Sequence, residues 1–194
     1  MKIFICFFLG CIFFAFGIAG YLNKRGINEP NYILIDKNKQ IEIREYKKIT
    51  IATTKVKSTY KNATYSGFRI LANYIFGGNH GEIKIPMTAP VITSMPNSEN
   101  TNITFVMPNN YSFDTLPIPK SNKITLKEIT LGKVAVIKFG MWATPKRIMK
   151  MKKKLETFLS KNKIKTSSEY LVAQYNSPWV IPPFRRNEII IAID

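Results

Sequence analysis

The chain predicts an α+β domain of duplicated β-α-β-β units, with the strands in one curved or barrel-like, mostly antiparallel sheet and two helices packed on it. Three observations point there. Two amphipathic helical stretches each follow a long β-patterned run, each is succeeded by two shorter β-patterned runs, and a proline-bearing connector, Asn109 to Lys120, separates the halves. Identity between the halves is low, so the repeat is one of pattern.

In chain order, the first 25 residues stand apart. Ile3 to Leu22 is apolar and uncharged, with Lys2 before it and Lys24-Arg25 after it. It is long enough for a bilayer span, which needs about 20 residues, and longer than the ~7–15 of a secretory signal core. Gly17-Ile18-Ala19 nevertheless offers small residues for cleavage before Gly20. Residues 1–25 therefore read as a signal peptide or transmembrane anchor, which makes the protein membrane-anchored or exported, in the cell envelope or secreted. Basic residues at both ends leave the orientation open. Residues 26–31, with Gly26 and Pro30, read as a linker, and 32–194 as the domain.

The first half reads as a strand from Ile41 to Val56, a helix from about Thr64 to Phe76, and strands from Met87 to Met95 and Asn102 to Met107. Phe68, Leu71, Ala72 and Ile75 form the helix's apolar stripe, and Gly77-Gly78 supplies its stop. The second half reads as a strand from Ile124 to Phe139, a helix from Pro145 to Lys161, and strands from Ser168 to Tyr175 and Glu188 to Ile193. Thr144 is its N-cap and Pro145 its first helical residue. Ile148, Met151, Leu155, Phe158 and Leu159 recur at helical spacing, with Lys146, Arg147, Lys150, Lys153 and Lys154 on the other side.

Composition narrows the function. The formal charge is +17, and residues 26–194 alone hold 26 basic against 12 acidic side chains. That balance suits anionic partners: acidic lipid, nucleic acid or a carboxylate-bearing ligand, or simply a soluble lysine-rich surface. The basic helix face fits anionic lipid or plain solvent; no nucleic-acid-binding pattern accompanies it, so no nucleic-acid partner is expected. Both cysteines, Cys6 and Cys11, lie in the apolar run, which excludes a disulfide, a CxxC pair or covalent haem attachment in the domain. His80 is the lone histidine, and no nucleophile elbow or glycine-rich phosphate loop is present. Glu42 and Glu45, three apart on a strand, point to opposite faces, which is wrong for a catalytic carboxylate pair. The chain reads as non-enzymatic, the alternative being a small-molecule hydrolase with Glu188 or Glu45 as general base.

Two distant segments are built from residues that shape backbone: Ile83-Lys84-Ile85-Pro86-Met87-Thr88-Ala89-Pro90-Val91, and Tyr175-Asn176-Ser177-Pro178 running on to Arg185-Arg186-Asn187-Glu188. With Ile41-Glu42-Ile43-Arg44-Glu45-Tyr46, Tyr74-Ile75-Phe76-Gly77 and Ile103-Thr104-Phe105-Val106-Met107-Pro108, they resemble the SOUL haem-binding protein family over roughly residues 32 to 193. The resemblance implies non-covalent binding of haem or a related tetrapyrrole in an apolar pocket between the first helix and the sheet. Phe68, Ala72, Ile75, Met87, Trp179 and Val180 would line it, and Arg69, Lys84, Arg185 and Arg186 would meet the propionates. Arg185 and Arg186 serve equally to brace a turn against Glu188. His80, in the loop Gly77-Gly78-Asn79-His80-Gly81, is either an axial ligand or a surface histidine. The chain departs from some family members by carrying Glu45 in place of a histidine, and Val180 and Ile181 in place of a lysine. Any haem complex is therefore expected to be weakly ligated or unligated, held by burial, and another amphipathic anion is the alternative ligand.

Overall fold

The computed structural model describes residues 27–96 and 99–194. Seven strands follow in order: β1 (Tyr32–Asn38), β2 (Ile41–Lys57), β3 (Val91–Ser94), β4 (Asn100–Val106), β5 (Thr125–Phe139), β6 (Leu171–Gln174) and β7 (Asn187–Ala192). Helix α1 (Tyr60–Ile75) lies between β2 and β3, and α2 (Pro145–Lys161) between β5 and β6. All ladders are antiparallel. The order β2-β4-β3-β6-β7-β5 returns to β2, closing a six-stranded barrel, and β1 lies outside it on the first half of β2. The duplication is exact in topology: β2, α1, β3 and β4 correspond to β5, α2, β6 and β7, the two long strands pair with each other, and so do β3 and β6. The N-terminal anchor or signal expectation lies outside the described residues, among which no helix is long and apolar enough to cross a membrane.

Each long strand serves two faces. Ile41 and Ile43 of β2 pack outward with Ala135, Ile137, Ile189 and Ile191 beneath α2, whose Ile148, Met151, Leu155 and Leu159 are buried there. Arg44 and Tyr46 point the other way, into the barrel. Beyond Tyr46 the alternation slips: Ile49 and Ile51 join Tyr46 in the interior cluster, and Ala52 faces α1. Opposite Tyr46 stands Gly132, at φ +60°, a left-handed conformation that side chains disfavour. Such an irregularity bends a strand pair, and closure of the barrel needs the bend.

Helix α2 has the bounds its spacing predicts, and the Thr144 hydroxyl accepts from the Arg147 N–H at 3.3 Å. Helix α1 begins earlier than its apolar stripe suggests, at Tyr60, because tertiary contacts hold its first turn: Ala63 is fully buried and the Tyr60 hydroxyl bonds to Thr93 at 2.8 Å. The strand expected over Met87–Met95 shrinks to β3, since Pro86 and Pro90 have no N–H to give a ladder. Residues 27–31, expected as linker, pack into the domain: Asn28 bridges to Thr88, Glu29 pairs with Arg186, and Pro30 is buried.

Helix α1 sits directly on β2 and β4. Leu71, Ile75, Ile103 and Phe105 are buried between them, and a Cβ added at Gly67 would come within 2.5 Å of Ile103 Cδ1 and 3.0 Å of its Cβ. Gly67→Ala is therefore expected to destabilise. The helix-propensity gain is up to ~1 kcal/mol, and overpacking costs ~1–3 kcal/mol, leaving a net loss of about 1 kcal/mol. Urea unfolding reads it; a more stable variant would show that α1 can lift from the sheet.

Candidate functional site

A groove of ≈ 650 Å³ runs along one flank of α1, between the helix and residues 120–124. Its helical wall is Ser66, Arg69, Ile70, Asn73 and Tyr74, one turn apart in sequence, and its other wall is Lys120, Ser121, Lys123 and Ile124. The walls are tied at one end. The Tyr74 hydroxyl donates to Pro117 O at 2.9 Å, the Lys120 N–H to Gly78 O at 3.0 Å and the His80 N–H to Ile118 O at 2.9 Å. Asn79, fully buried, donates through its amide to Tyr74 O and Ile83 O and accepts from the Ile83 N–H, which fixes the loop after the helix. Ile70, Tyr74 and Ile124 supply apolar surface, and Arg69, Lys120 and Lys123 supply positive charge. Lys120 is partly offset by Glu82 at 3.0 Å, and that exposed pair holds the Glu82 carboxyl below its ordinary pKa.

The barrel interior is occupied by protein. At one end, Arg44, fully buried, uses its whole guanidinium: Nη1 and Nη2 grip Glu188 at 2.8 and 2.9 Å, Nε and Nη2 donate to Glu42 at 2.9 and 2.7 Å, and Nη1 donates to the Tyr46 hydroxyl at 2.9 Å. Glu188 also accepts from Tyr175 at 2.8 Å and Arg186 Nε at 3.0 Å, while Glu42 accepts from Lys138 at 2.7 Å. Arg186 reaches on to Glu29 at 2.8 Å, and its guanidinium stacks 3.7 Å from the Tyr175 ring centre. Three cations face three carboxylates, so the cluster is neutral. Burial alone would raise the Glu188 carboxyl; the bonds and charge of Arg44, then Arg186 and Tyr175, override it and hold it below its ordinary value. Glu42 behaves alike, burial being overcome by Lys138 and Arg44. Burial, with the Glu188 charge added, drives the Tyr175 hydroxyl well up.

A family model described as SOUL heme-binding protein matches residues 27–192. The chain belongs to the SOUL haem-binding family. Heme-binding protein 2 of Homo sapiens is 32% identical over 145 residues, covering 71% of this chain and 70% of that protein. Among solved structures, a hydrolase from Listeria innocua superposes with a TM-score of 0.58 at 7% identity, covering 82% of this chain and 94% of that one. The EcmrR C-terminal domain superposes with a TM-score of 0.58 at 11% identity, covering 80% and 97%. At those identities the two structures show a shared fold and nothing further.

Against this SOUL framework, the expected slot between the first helix and the sheet is closed by packing. Phe68 sits edge-on to Phe105 with ring centres 5.3 Å apart, Ile75 is buried in the same cluster, and Ala72 is half-buried. Of the expected contact set, Arg69 alone lines the groove. Lys84 and Met87 are exposed beside the proline-rich segment, Trp179 is 89% exposed, and Val180 is buried. Arg186 binds Glu188, the bracing contact that one of its two readings has, whereas Arg185 instead donates to Pro178 O at 2.7 Å and Ser177 O at 3.2 Å. His80 is exposed and does not line the groove. Lys120, the last residue of the expected connector, and Lys123, between it and the strand expected from Ile124, are the groove's other cations. Their only sequence signal is two lysines flanking Ser121-Asn122 after a proline pair.

Haem presents a flat apolar ring, two carboxylates and an iron. The groove's apolar wall and its cations fit the first two. It offers nothing to the third, since its one side chain of a known axial type, Tyr74, has its hydroxyl committed to Pro117 O.

Proposed function

We propose that this protein binds a tetrapyrrole non-covalently and non-enzymatically in the groove between α1 and residues 120–124, gripping its carboxylates and leaving its metal unligated. The carrying observation is the convergence of Arg69, Lys120 and Lys123 on an apolar-walled groove in a member of a haem-binding family. Its volume lies within the about 300–1,000 Å³ of small-molecule sites. The same features accept other amphipathic anions, which the lack of an iron donor in the groove favours as a second reading.

A hydrolase built on Glu188 is disfavoured by chemistry. That carboxylate is fully buried and already accepts from Arg44, Arg186 and Tyr175, so it has no free lone pair directed at a substrate and a pKa too low for a general base near neutrality. Glu45 is exposed on β2 and, among the described residues, has no hydrogen-bonded or ion-paired side chain to make a catalytic pair.

Absorbance and fluorescence titrations with hemin and metal-free protoporphyrin IX test the proposal, beside a basic control protein of similar charge. Saturable one-to-one binding is expected for both, with dissociation constants within about threefold of each other, and unchanged in His80→Ala. Binding no tighter than the control's, or a hemin spectrum that collapses in His80→Ala, would sink it.

A further inference from the structure

Both tryptophans of the chain stand at one end of the molecule, where the loop before α2 meets the β6–β7 loop. Trp142 is 49% exposed, Trp179 89%, Phe184 52% and Met141 39%. One buried cation holds this arrangement. The Arg185 guanidinium stacks 3.7 Å from the Trp142 ring centre and donates to Ser177 O and Pro178 O, the residues just before Trp179. Its Nε is buried without a partner. The Met141 N–H donates to Pro182 O at 3.0 Å, which joins the two loops through backbone. A fold that desolvates an arginine to hold an indole outward is keeping apolar surface at the solvent boundary, where large exposed patches mark interaction sites.

The same end opens into α2. Trp142 O accepts from the Thr144 N–H at 2.9 Å, and the helix follows at once. Lys146, Met149, Lys150 and Lys153 recur at three- and four-residue spacing and are all exposed, opposite the buried Ile148, Met151, Leu155 and Leu159. The one acid of α2, Glu156, pairs with Lys152. Protein–protein interface cores are depleted of lysine. Lipid interfaces combine it with tryptophan, the indoles at headgroup depth and the lysines on anionic phosphates. We propose that Trp142, Trp179 and Phe184, with the Lys146/Lys150/Lys153 stripe, form a docking surface for an anionic lipid bilayer.

Tryptophan emission, excited at the red edge where tyrosine does not absorb, reads this surface alone, because the chain has no other tryptophan and the apolar run Ile3–Leu22 contains none. The full-length protein is mixed with vesicles of brominated phosphatidylglycerol and phosphatidylcholine. The expected result is a blue shift and loss of most of the emission, neither seen with pure phosphatidylcholine. Lys146→Gln/Lys150→Gln/Lys153→Gln should need roughly 100-fold more lipid for the same quenching, from about 1 kcal/mol per lysine at the surface; circular dichroism checks that the variant is folded. Equal quenching by neutral vesicles or in the triple variant overturns the proposal. So does emission that responds only to a single-stranded oligonucleotide or only to hemin.

Discussion

Arg44→Met is expected to lower the unfolding free energy by about 3–5 kcal/mol, the cost of removing one partner from a buried ion network. Methionine is close in length, so the loss comes from charge and hydrogen bonding more than from volume. Glu188 would keep Arg186 and Tyr175 and Glu42 would keep Lys138, but each would lose its two bonds to Arg44. At about 2–4 °C per kcal/mol for a chain of this size, the melting temperature should fall by roughly 6–20 °C. The pH dependence separates an electrostatic loss from a packing one. Glu42 and Glu188 have folded pKa values depressed below the ordinary 4.5. Their contribution is therefore fully present above about 4.5 and is lost as pH falls through the folded values. Without Arg44 that depression shrinks, so the gap between variant and native protein should be largest near pH 7 and narrow below 4.5. A gap under about 1 kcal/mol, or one that stays constant with pH, would show that the network contributes little beyond shape.

Arg69→Glu/Lys123→Glu should weaken tetrapyrrole binding by roughly 30–150-fold while leaving stability within about 0.5 kcal/mol. An exposed ion pair contributes ~0.2–1 kcal/mol. Reversing a rim charge replaces attraction by repulsion of like size, so at about 0.5–0.75 kcal/mol each way, the middle of that range, two positions together give ~2–3 kcal/mol. Arg69 is exposed and has no carboxylate partner among the described residues, and its guanidinium lies 5.9 Å from the centre of the exposed Tyr65 ring, so its removal orphans no buried group. Lys84→Glu, outside the groove, is the control for bulk charge and should change affinity by less than about threefold. Equal weakening by Lys84→Glu would mean that net charge, not the groove, draws the ligand. Raising the ionic strength should shrink the double variant's effect, because the rim is solvated.

The elements that sequence reading found are those whose signal is local. Helix α2 announces itself through Thr144, Pro145 and a stripe at helical spacing; β2 and β5 through long β-patterned runs; the duplication through the repeated order. Strand β1 was missed because it carries no alternation: Tyr32, Ile33, Leu34 and Ile35 are all exposed, held on β2 by backbone pairing rather than by a buried face. The groove was missed because its walls, α1 and residues 120–124, are distant in sequence and meet through backbone oxygens of the connector, which side-chain types do not reveal.

The sequence by itself determined the repeat, the two helices and the SOUL membership, since each depends on residue type and spacing along one segment. Only the tertiary structure decided where charge is buried and where a ligand fits. Glu42-Ile43-Arg44-Glu45-Tyr46 reads in isolation as a strand with Glu42 and Glu45 on opposite faces. Barrel closure buries the face that carries Glu42, Arg44 and Tyr46, converting Arg44 from a surface cation into the centre of a neutral cluster with Glu188, 144 residues away. A polar strand residue is wet or dry according to which strand closes over it, and that is a property of the sheet, not of the segment.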